Sequence, residues 1–352
     1  MNIWSYIIKR VLLMLPTLLG VVAITFAVIQ FVPGGPVEQA LIELKGQVGA
    51  GEASGGGASQ YRGRQGVDAE RVAEIKALYG FDKPAGERFW QMLKGFATFD
   101  LGKSFYHHKD VWELVVSKLP VSITLGLWTF FLTYFISVPL GIAKAVREGS
   151  RFDSITSMVV LVGYSIPGFI LGVFLLVMFG GGSFVQWFPL RGLTSDDWEQ
   201  MSLIGKVLDY LWHITLPVTA SVAGSFAVMT MLTKNTFLEE IRKQYVLTAR
   251  AKGLSENAVL YKHVFRNALI PLVTGFPAAF IGAFFAGSLL IETLFSLDGL
   301  GLLSYESVIR RDYPVVMGTL YLFTLIGLLV KLLGDLCYVW ADPRLQFESL
   351  NR

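Results

Sequence analysis

The chain has 352 residues, room for about two soluble domains of roughly 150 residues each, yet 53% are hydrophobic, 16% are charged, and the mean hydropathy is +0.54. A water-soluble domain carries about 25% charge, so this composition excludes an ordinary soluble protein and points to a bilayer. The single cysteine excludes an intramolecular disulfide, four histidines leave little for a structural zinc site, and a net charge of +3 is too small to imply nucleic acid.

A helix needs about 20 apolar residues to cross about 30 Å of hydrocarbon. Six uncharged runs of that size occur, at 11–32, 119–143, 154–180, 214–233, 267–291 and 313–330. The first follows Lys9 and Arg10 as a secretory signal would, but it is longer than a signal core. Residues 31–36 also offer no small-x-small cleavage site, so it reads as an uncleaved span.

In the long segment 33–118, residues 48–66 are rich in Gly and Ser and read as a loop. Val72, Ile75 and Leu78 at helical spacing predict an amphipathic helix over Val67 to Tyr79, ended by Gly80. Two more short helices are expected at 85–96 and 109–118. The segment either meets an external partner or packs on the protein as a lid.

Pro139, Pro167 and Pro277 lie in or near spans, where each removes a backbone hydrogen bond and permits a kink. Pro167, beside Gly163, Tyr164, Ser165 and Gly168, is the candidate hinge. The fourth run carries Thr215, Thr219, Ser221, Ser225, Thr230 and Thr233 and is expected to face protein or water on one side. In the fifth, Gly275, Ala279, Ala283 and Gly287 recur every four residues, with Ala278, Gly282 and Ala286 on the adjoining stripe; Gly168 and Gly172 repeat the pattern more weakly in the third. Residues four apart share a helix face, and small side chains there admit another backbone. Internal packing, a second subunit and a translocation path all fit.

Fifteen Lys and Arg residues fall in 1–10, 144–153, 234–266 and 331–352, against four in the alternate loops 181–213 and 292–312. The segment 33–118 balances its own charges and is too long to count. Both termini are therefore expected in the cytoplasm, with 33–118 outside.

Chemistry is sparse. The first five runs hold no ionisable residue in their interiors, and Lys331 and Asp335 sit at the cytoplasmic end of the sixth. That disfavours a proton relay, although sodium sites built from carbonyls remain open. Gly102-Lys103-Ser104 imitates the end of a phosphate-binding loop, but Ala97 stands where the pattern needs its first Gly. Gly163-Tyr164-Ser165-Ile166-Pro167 ends in proline where a nucleophile elbow needs glycine, and no span supplies a histidine base. His107-His108 lacks a third ligand nearby. No residue is marked as catalytic, cofactor-binding or metal-binding.

The most informative stretch is the basic loop 234–266. Helix-forming residues run to Lys252, Gly253 is a natural stop in the left-handed region, and Ser255 can cap a second helix from Glu256. Two short helices thus meet at a glycine corner. By composition alone such a loop more often touches lipid headgroups than docks a partner.

The run Gln244-Tyr245-Val246-Leu247-Thr248-Ala249-Arg250-Ala251-Lys252-Gly253-Leu254-Ser255, followed by Arg266-Asn267-Ala268-Leu269-Ile270-Pro271, resembles the cytoplasmic loop of ABC importer permeases of the dipeptide and oligopeptide family. Ala249 and Gly253 match the Ala and Gly of the family signature. Leu247-Thr248-Ala249 replaces the usual Glu-Ala-Ala, and Pro271 lies further from Gly253 than in the general pattern; the peptide branch shows both departures. Tyr79 to Pro84, Phe99 to Ser104, Leu119 to Leu125, Ile291 to Gly301 and Arg311 to Pro314 are similar to the B-type peptide permeases of that family. Pro33 to Pro36, the Gly-rich insert around 46–66, Tyr210 to Pro217 and Thr230 to Asn235 resemble its Yej-type branch, which imports peptides and the antibiotic microcin C.

The resemblance implies an all-α membrane protein: a type I ABC importer transmembrane domain with six transmembrane helices and a long periplasmic segment after the first. It divides the chain into a cytoplasmic start and first helix over 1–32, a periplasmic segment over 33–118, a core over 119–341 carrying the coupling loop 234–266, and a cytoplasmic tail over 342–352. Tyr245, Thr248, Ala249, Arg250, Ala251, Lys252, Gly253, Leu254 and Ser255 would then meet an ATPase. Tyr164, Pro167, Ser288 and Glu292 are expected near the pathway, and Gly275, Ala279, Ala283 and Gly287 at a helix interface. Implied partners are a second homologous permease, ABC ATPase subunits (a fused pair or two chains) that hold the ATP and Mg, a periplasmic peptide-binding protein and the lipid of a bacterial inner membrane. An ion-driven secondary transporter is the alternative of another class, and an intramembrane enzyme the third.

Overall fold

The computed structural model describes residues 3–32, 35, 76–77, 81–180, 184–285 and 288–341. The expected loop 48–66, the helix expected over 67–79 apart from residues 76–77, the tail 342–352, most of Pro33 to Pro36, and Gly287 lie outside the described residues.

Among the described residues the fold is helical, with one isolated antiparallel bridge between Lys103 and Asp110. In chain order the helices are α1 (Ile3–Phe31), α2 (Ala85–Ala97), α3 (Val111–Val146), α4 (Arg151–Ser165), α5 (Gly168–Phe179), α6 (Leu203–Ile241), α7 (Gln244–Ala251) and α8 (Glu256–Ala258). A π-helical stretch, Val259–Val264, leads into α9 (Phe265–Ala268), followed by α10 (Ile270–Phe285), α11 (Leu289–Leu294), α12 (Leu300–Ile309) and α13 (Tyr313–Ala341). Helices α1, α3, α6 and α13 are each long and apolar enough to cross a membrane. Two bent pairs raise the number to six if each is one span.

Three expectations change. The helix expected over 109–118 is the first part of α3, which runs through Pro120 without a break. Proline removes only the bond to residue 116, and Val116 lies exposed there. The run 154–180 is not one straight helix but α4 and α5, bent by 92°. Ile166 is extended (φ −95°, ψ 115°), as the residue before a proline prefers, and Pro167 precedes the first residue of α5. The run 267–291 likewise begins at a 50° bend and is interrupted after Phe285.

The chain separates into two compact units. One comprises Met1–Val11, Lys118–Leu303 and Ile326–Arg352; the other comprises Leu12–Ser117 and Ser304–Leu325. In the first, Leu125, Ile214, Leu216, Val218, Ala220, Ile291, Phe295 and Leu297 form one core. A second core gathers Ala145, Phe237, Val246, Ala249, Val259, Val264 and Ala268. Helix crossings are tight: a Cβ on Gly126 would stand 1.6 Å from the Ala283 carbonyl oxygen, and one on Gly168 would stand 2.7 Å from that of Ala220. Arg10 (3.1 Å) and the Tyr6 hydroxyl (2.8 Å) both reach Asp335, tying the start of α1 to the end of α13.

In the second unit, Gly102-Lys103-Ser104 is part of a structural clasp. Gly102 takes φ +78°, and the buried Asp312 accepts from the Ser104 hydroxyl and from the Phe105 N–H at 2.9 Å. A cavity of about 630 Å³ lies here, and Arg88 at its edge stacks 4.3 Å from the Phe81 ring.

Candidate functional site

The glycine corner grows from the end of α6. Lys243 donates its N–H to the Glu240 carbonyl and turns extended, and α7 starts at once. Helix α7 buries Val246 and Ala249 in the core that holds Ala145 of α3 and Phe237 of α6. Its other side, with Leu247, Thr248, Arg250 and Ala251, is exposed, and exposure continues through Lys252, Gly253, Leu254 and Ser255. Gly253 takes φ +81°, where an L side chain is strained even though a Cβ there would meet nothing within 4 Å. Ser255 caps α8 by accepting from the Ala258 N–H, and Arg250 grips Glu256 through two bonds of 3.0 and 3.1 Å. The two-helix corner expected from the sequence is thus observed, while the π-helical turn after it was not foreseen. Of the nine residues assigned to this loop, Ala249 faces inward and Tyr245 is half-buried.

The Tyr245 hydroxyl donates to Glu240 Oε2 at 2.6 Å and accepts from Asn267 Nδ2 at 3.1 Å, bracing α7 against α6 and α9. Burial, followed by the Glu240 carboxylate, raises the phenol's pKa above its ordinary value. The ammonium of Lys243 is also held above its usual range by its bond to Glu240.

Beside this core sits an ion cluster that sequence reading missed. Lys144 is completely buried and satisfies its three N–H groups with the Asp153 carbonyl (3.0 Å), Thr156 Oγ1 (2.9 Å) and Ser157 Oγ (2.6 Å). It also stands 3.1 Å from Asp153 Oδ1. Lys234 of α6 donates to both Asp153 oxygens at 2.7 and 2.8 Å, and the Gly149 N–H adds a bond at 3.2 Å. One carboxylate therefore links the end of α3, the start of α4 and the last part of α6. Lys144 neighbours Ala145 of the corner's core, and Lys234 lies one turn from Phe237. The legible signal was the order Ser150-x-x-Asp153 at the start of α4, where the Ser150 hydroxyl accepts from the Asp153 N–H.

At the far end of the same unit, Glu292 is fully buried. Its Oε1 accepts from the Ser288 N–H at 3.1 Å and its Oε2 from the Leu302 N–H at 2.8 Å. Burial pushes the Glu292 carboxyl above the usual carboxylate range, and the N–H groups of Leu302, Ser288 and Gly301 pull it partway back. A Cβ on Gly299 would lie 2.5 Å from the Glu292 carboxyl carbon, so only glycine closes this loop. Ser122 accepts from the Leu300 N–H at 2.9 Å and Lys118 pairs with Asp298, which stitches the loop to the start of α3.

Between these ends lies a cavity of about 860 Å³ lined from α3, α4, α5, α6, α10 and α11. Tyr164, Ser288, Ala279 and Ala283 line it. Glu292 does not line it and is fully buried. Pro167 makes the bend that presents Gly168 and Phe169 to the cavity. Gly275 has open space around its Cα. The described lining contains no carboxylate, ammonium, guanidinium or imidazole. Thr129 and Thr133, also in the lining, were not singled out from the sequence.

Comparison with known proteins is consistent with this arrangement. The family described as binding-protein-dependent transport system inner membrane component matches residues 137–347. The chain is 52% identical over 358 residues to the peptidoglycan transport system permease protein YejB of Agrobacterium fabrum, covering 98% of each chain. It is 51% identical to the inner membrane ABC transporter permease protein YejB of Escherichia coli O157:H7 over 98% of this chain and 99% of that one. With the dipeptide transport system permease protein DppB of Escherichia coli strain K12 it shares 32% identity over 98% and 99%. An uncharged cavity in apolar helices, a glycine-cornered loop and near full-length relatives converge, and the chain belongs to the family of binding-protein-dependent transport system inner membrane components.

Proposed function

We propose that this chain is one half of the channel of an ATP-binding-cassette importer in a bacterial inner membrane, with both termini in the cytoplasm. Its cargo is peptides or peptide-like compounds, microcin C being one candidate. The observation that carries the reading is the cytoplasmic corner, whose outer residues are exposed and whose inner residues share a core with α3 and α6. Such an element can receive a push from another protein and pass it to the spans. The names of the relatives, one for peptidoglycan transport and one for dipeptides, favour short peptides as cargo.

In this mechanism two ATPase domains, fused or separate, hold ATP and Mg and close on hydrolysis-competent binding. The exposed residues of this loop, Thr248 and Arg250 to Ser255, seat against them, and α7 moves as a rigid piece because Tyr245 and Arg250 brace its two ends. The Asp153 cluster passes that motion to α3, α4 and α6 together, since pulling either lysine away from the carboxylate leaves that ammonium without its counter-ion. The spans then rock about the cavity, as transporters that expose a central site alternately do, and the bend at Pro167 is where α4 and α5 shift. A periplasmic binding protein delivers cargo, and a second homologous permease covers the cavity's open side. This chain contributes no catalytic group.

The test is reconstitution of the chain with its candidate partner permease, ATPases and binding protein in liposomes. Peptide uptake that requires ATP and all partners is the expected result. Uphill pumping of solute by the chain alone, on a salt or pH gradient, would overturn the reading in favour of an ion-driven transporter.

A further inference from the structure

Hydroxyl groups on these helices mostly satisfy themselves. Thr17, Thr215, Thr219, Ser221, Thr233 and Thr319 each donate to the carbonyl four residues back, at 2.6–2.8 Å. That is the usual recourse of a hydroxyl where water is scarce. Thr129 and Thr133 of α3 do otherwise: both hydroxyl oxygens are buried and neither has a hydrogen-bond partner. Thr133 is only 4% exposed. Both residues line the uncharged cavity. Thr230 is the other buried threonine left unpartnered, but it is not part of the cavity lining.

An unmade hydrogen bond at a buried hydroxyl costs free energy; neither oxygen is open to the cavity as it stands, but a turn of χ1 to another staggered rotamer brings each hydroxyl onto the cavity wall, where a ligand can complete it. Four residues of helix advance about 6 Å. Alternate residues of an extended peptide, which present N–H and C=O on the same edge, recur at about 6.6 Å. A hydroxyl both donates and accepts, so each can meet either group.

The cavity's glycines sort into two kinds. Gly126 and Gly168 have another backbone pressed against them, whereas a Cβ on Gly224 or Gly282 would meet nothing within 4 Å. The second pair therefore keeps the cavity wide rather than holding helices together. With no charge in the described lining, side-chain charge is not what this wall reads.

The geometry points to Thr129 and Thr133 as a two-rung ladder for the main-chain amides of an extended peptide in transit. The wall thereby recognises the class of ligand, a peptide backbone, independently of its side chains. This inference rests on the peptide-import reading above.

The experiment uses the full reconstituted complex and an alanine-rich tetrapeptide, beside a second peptide N-methylated at alternate amides and matched for affinity to the binding protein. T129V and T133V keep side-chain shape and remove the hydroxyl. Each is expected to lower uptake of the unmodified peptide about fivefold, while T129S and T133S restore it. The N-methylated peptide, which already lacks the N–H, should differ less than about twofold between wild type and valine variants. Valine variants that transport like wild type, that lose both peptides equally, or that fail to assemble with the second permease would each overturn the ladder. A wild-type complex that moves neither peptide would instead sink the peptide-import reading itself, and the ladder with it.

Discussion

The glycine corner and the cavity belong to the same unit but are built on opposite rules. Around the corner polar groups are committed: Asp153 holds two lysines, Lys144 fills all three of its N–H positions, and Tyr245 is bonded on both sides. In the cavity, charge is absent from the described lining, two hydroxyls are left open, and two glycines face empty space. Saturated ion pairs in a packed core are stiff, as the proposed transmission of force requires. A part that lets solute slide past has to bind weakly, which favours a neutral wall with few strong partners.

The comparison is broken most severely at Asp153. Asp153→Ala leaves Lys144 and Lys234 without their carboxylate, and about 3–5 kcal/mol of stability should be lost. Thermal unfolding of the purified chain in detergent reads this, and adding Lys144→Met to the same chain should recover part of the loss. If the single variant melts with wild type, the cluster does not hold the three helices.

Next in size is a contrast within the cavity wall. Gly126→Ala pushes a methyl group into the Ala283 carbonyl and should cost about 1–3 kcal/mol from overpacking. Glu292→Gln falls in the same range at the other end of the unit. Both carboxylate oxygens accept backbone N–H groups, and an amide can offer only one acceptor, which leaves a buried donor unmet at about 1–3 kcal/mol. Unfolding midpoints in detergent measure both.

At the corner, Gly253→Val meets no steric obstacle and pays only for a left-handed backbone, about 1–2 kcal/mol. Its effect on fold stability should be small beside its effect on transport. ATP hydrolysis by the assembled complex should continue while peptide uptake falls at least about tenfold. Normal uptake together with normal stimulated hydrolysis would remove the corner from the coupling path. Gly282→Ala should be the mildest change. It adds a better helix former in open space, so stability should change by under about 1 kcal/mol and in the favourable direction. Any loss should appear only as slower uptake of bulky peptides.

Much of this was legible in the chain. The apolar runs mark the spans because a bilayer demands about 20 uncharged residues, and α1 and α13 follow them closely. Gly253 and Ser255 announce the corner through backbone chemistry that acts within a few residues. The π-helical turn at Val259–Val264 and the uninterrupted passage of α3 through Pro120 carry no such local mark. Glu292 shows the limit most clearly. It was expected near the pathway, and only the fold shows its carboxylate buried and bonded to the N–H groups of Ser288, four residues before it, and of Leu302, ten residues after it in the first turn of α12.

By itself, then, the order of residues determined that this is a helical membrane protein with a glycine-bent basic loop, because length, hydropathy and capping are set by neighbours along the chain. Tertiary structure alone decided that Lys144, Asp153 and Lys234 meet, that Gly126 is spoken for while Gly282 is open, and that Thr129 and Thr133 are left without partners. Each depends on which helix lies across from which, and that is a property of packing between residues far apart in sequence.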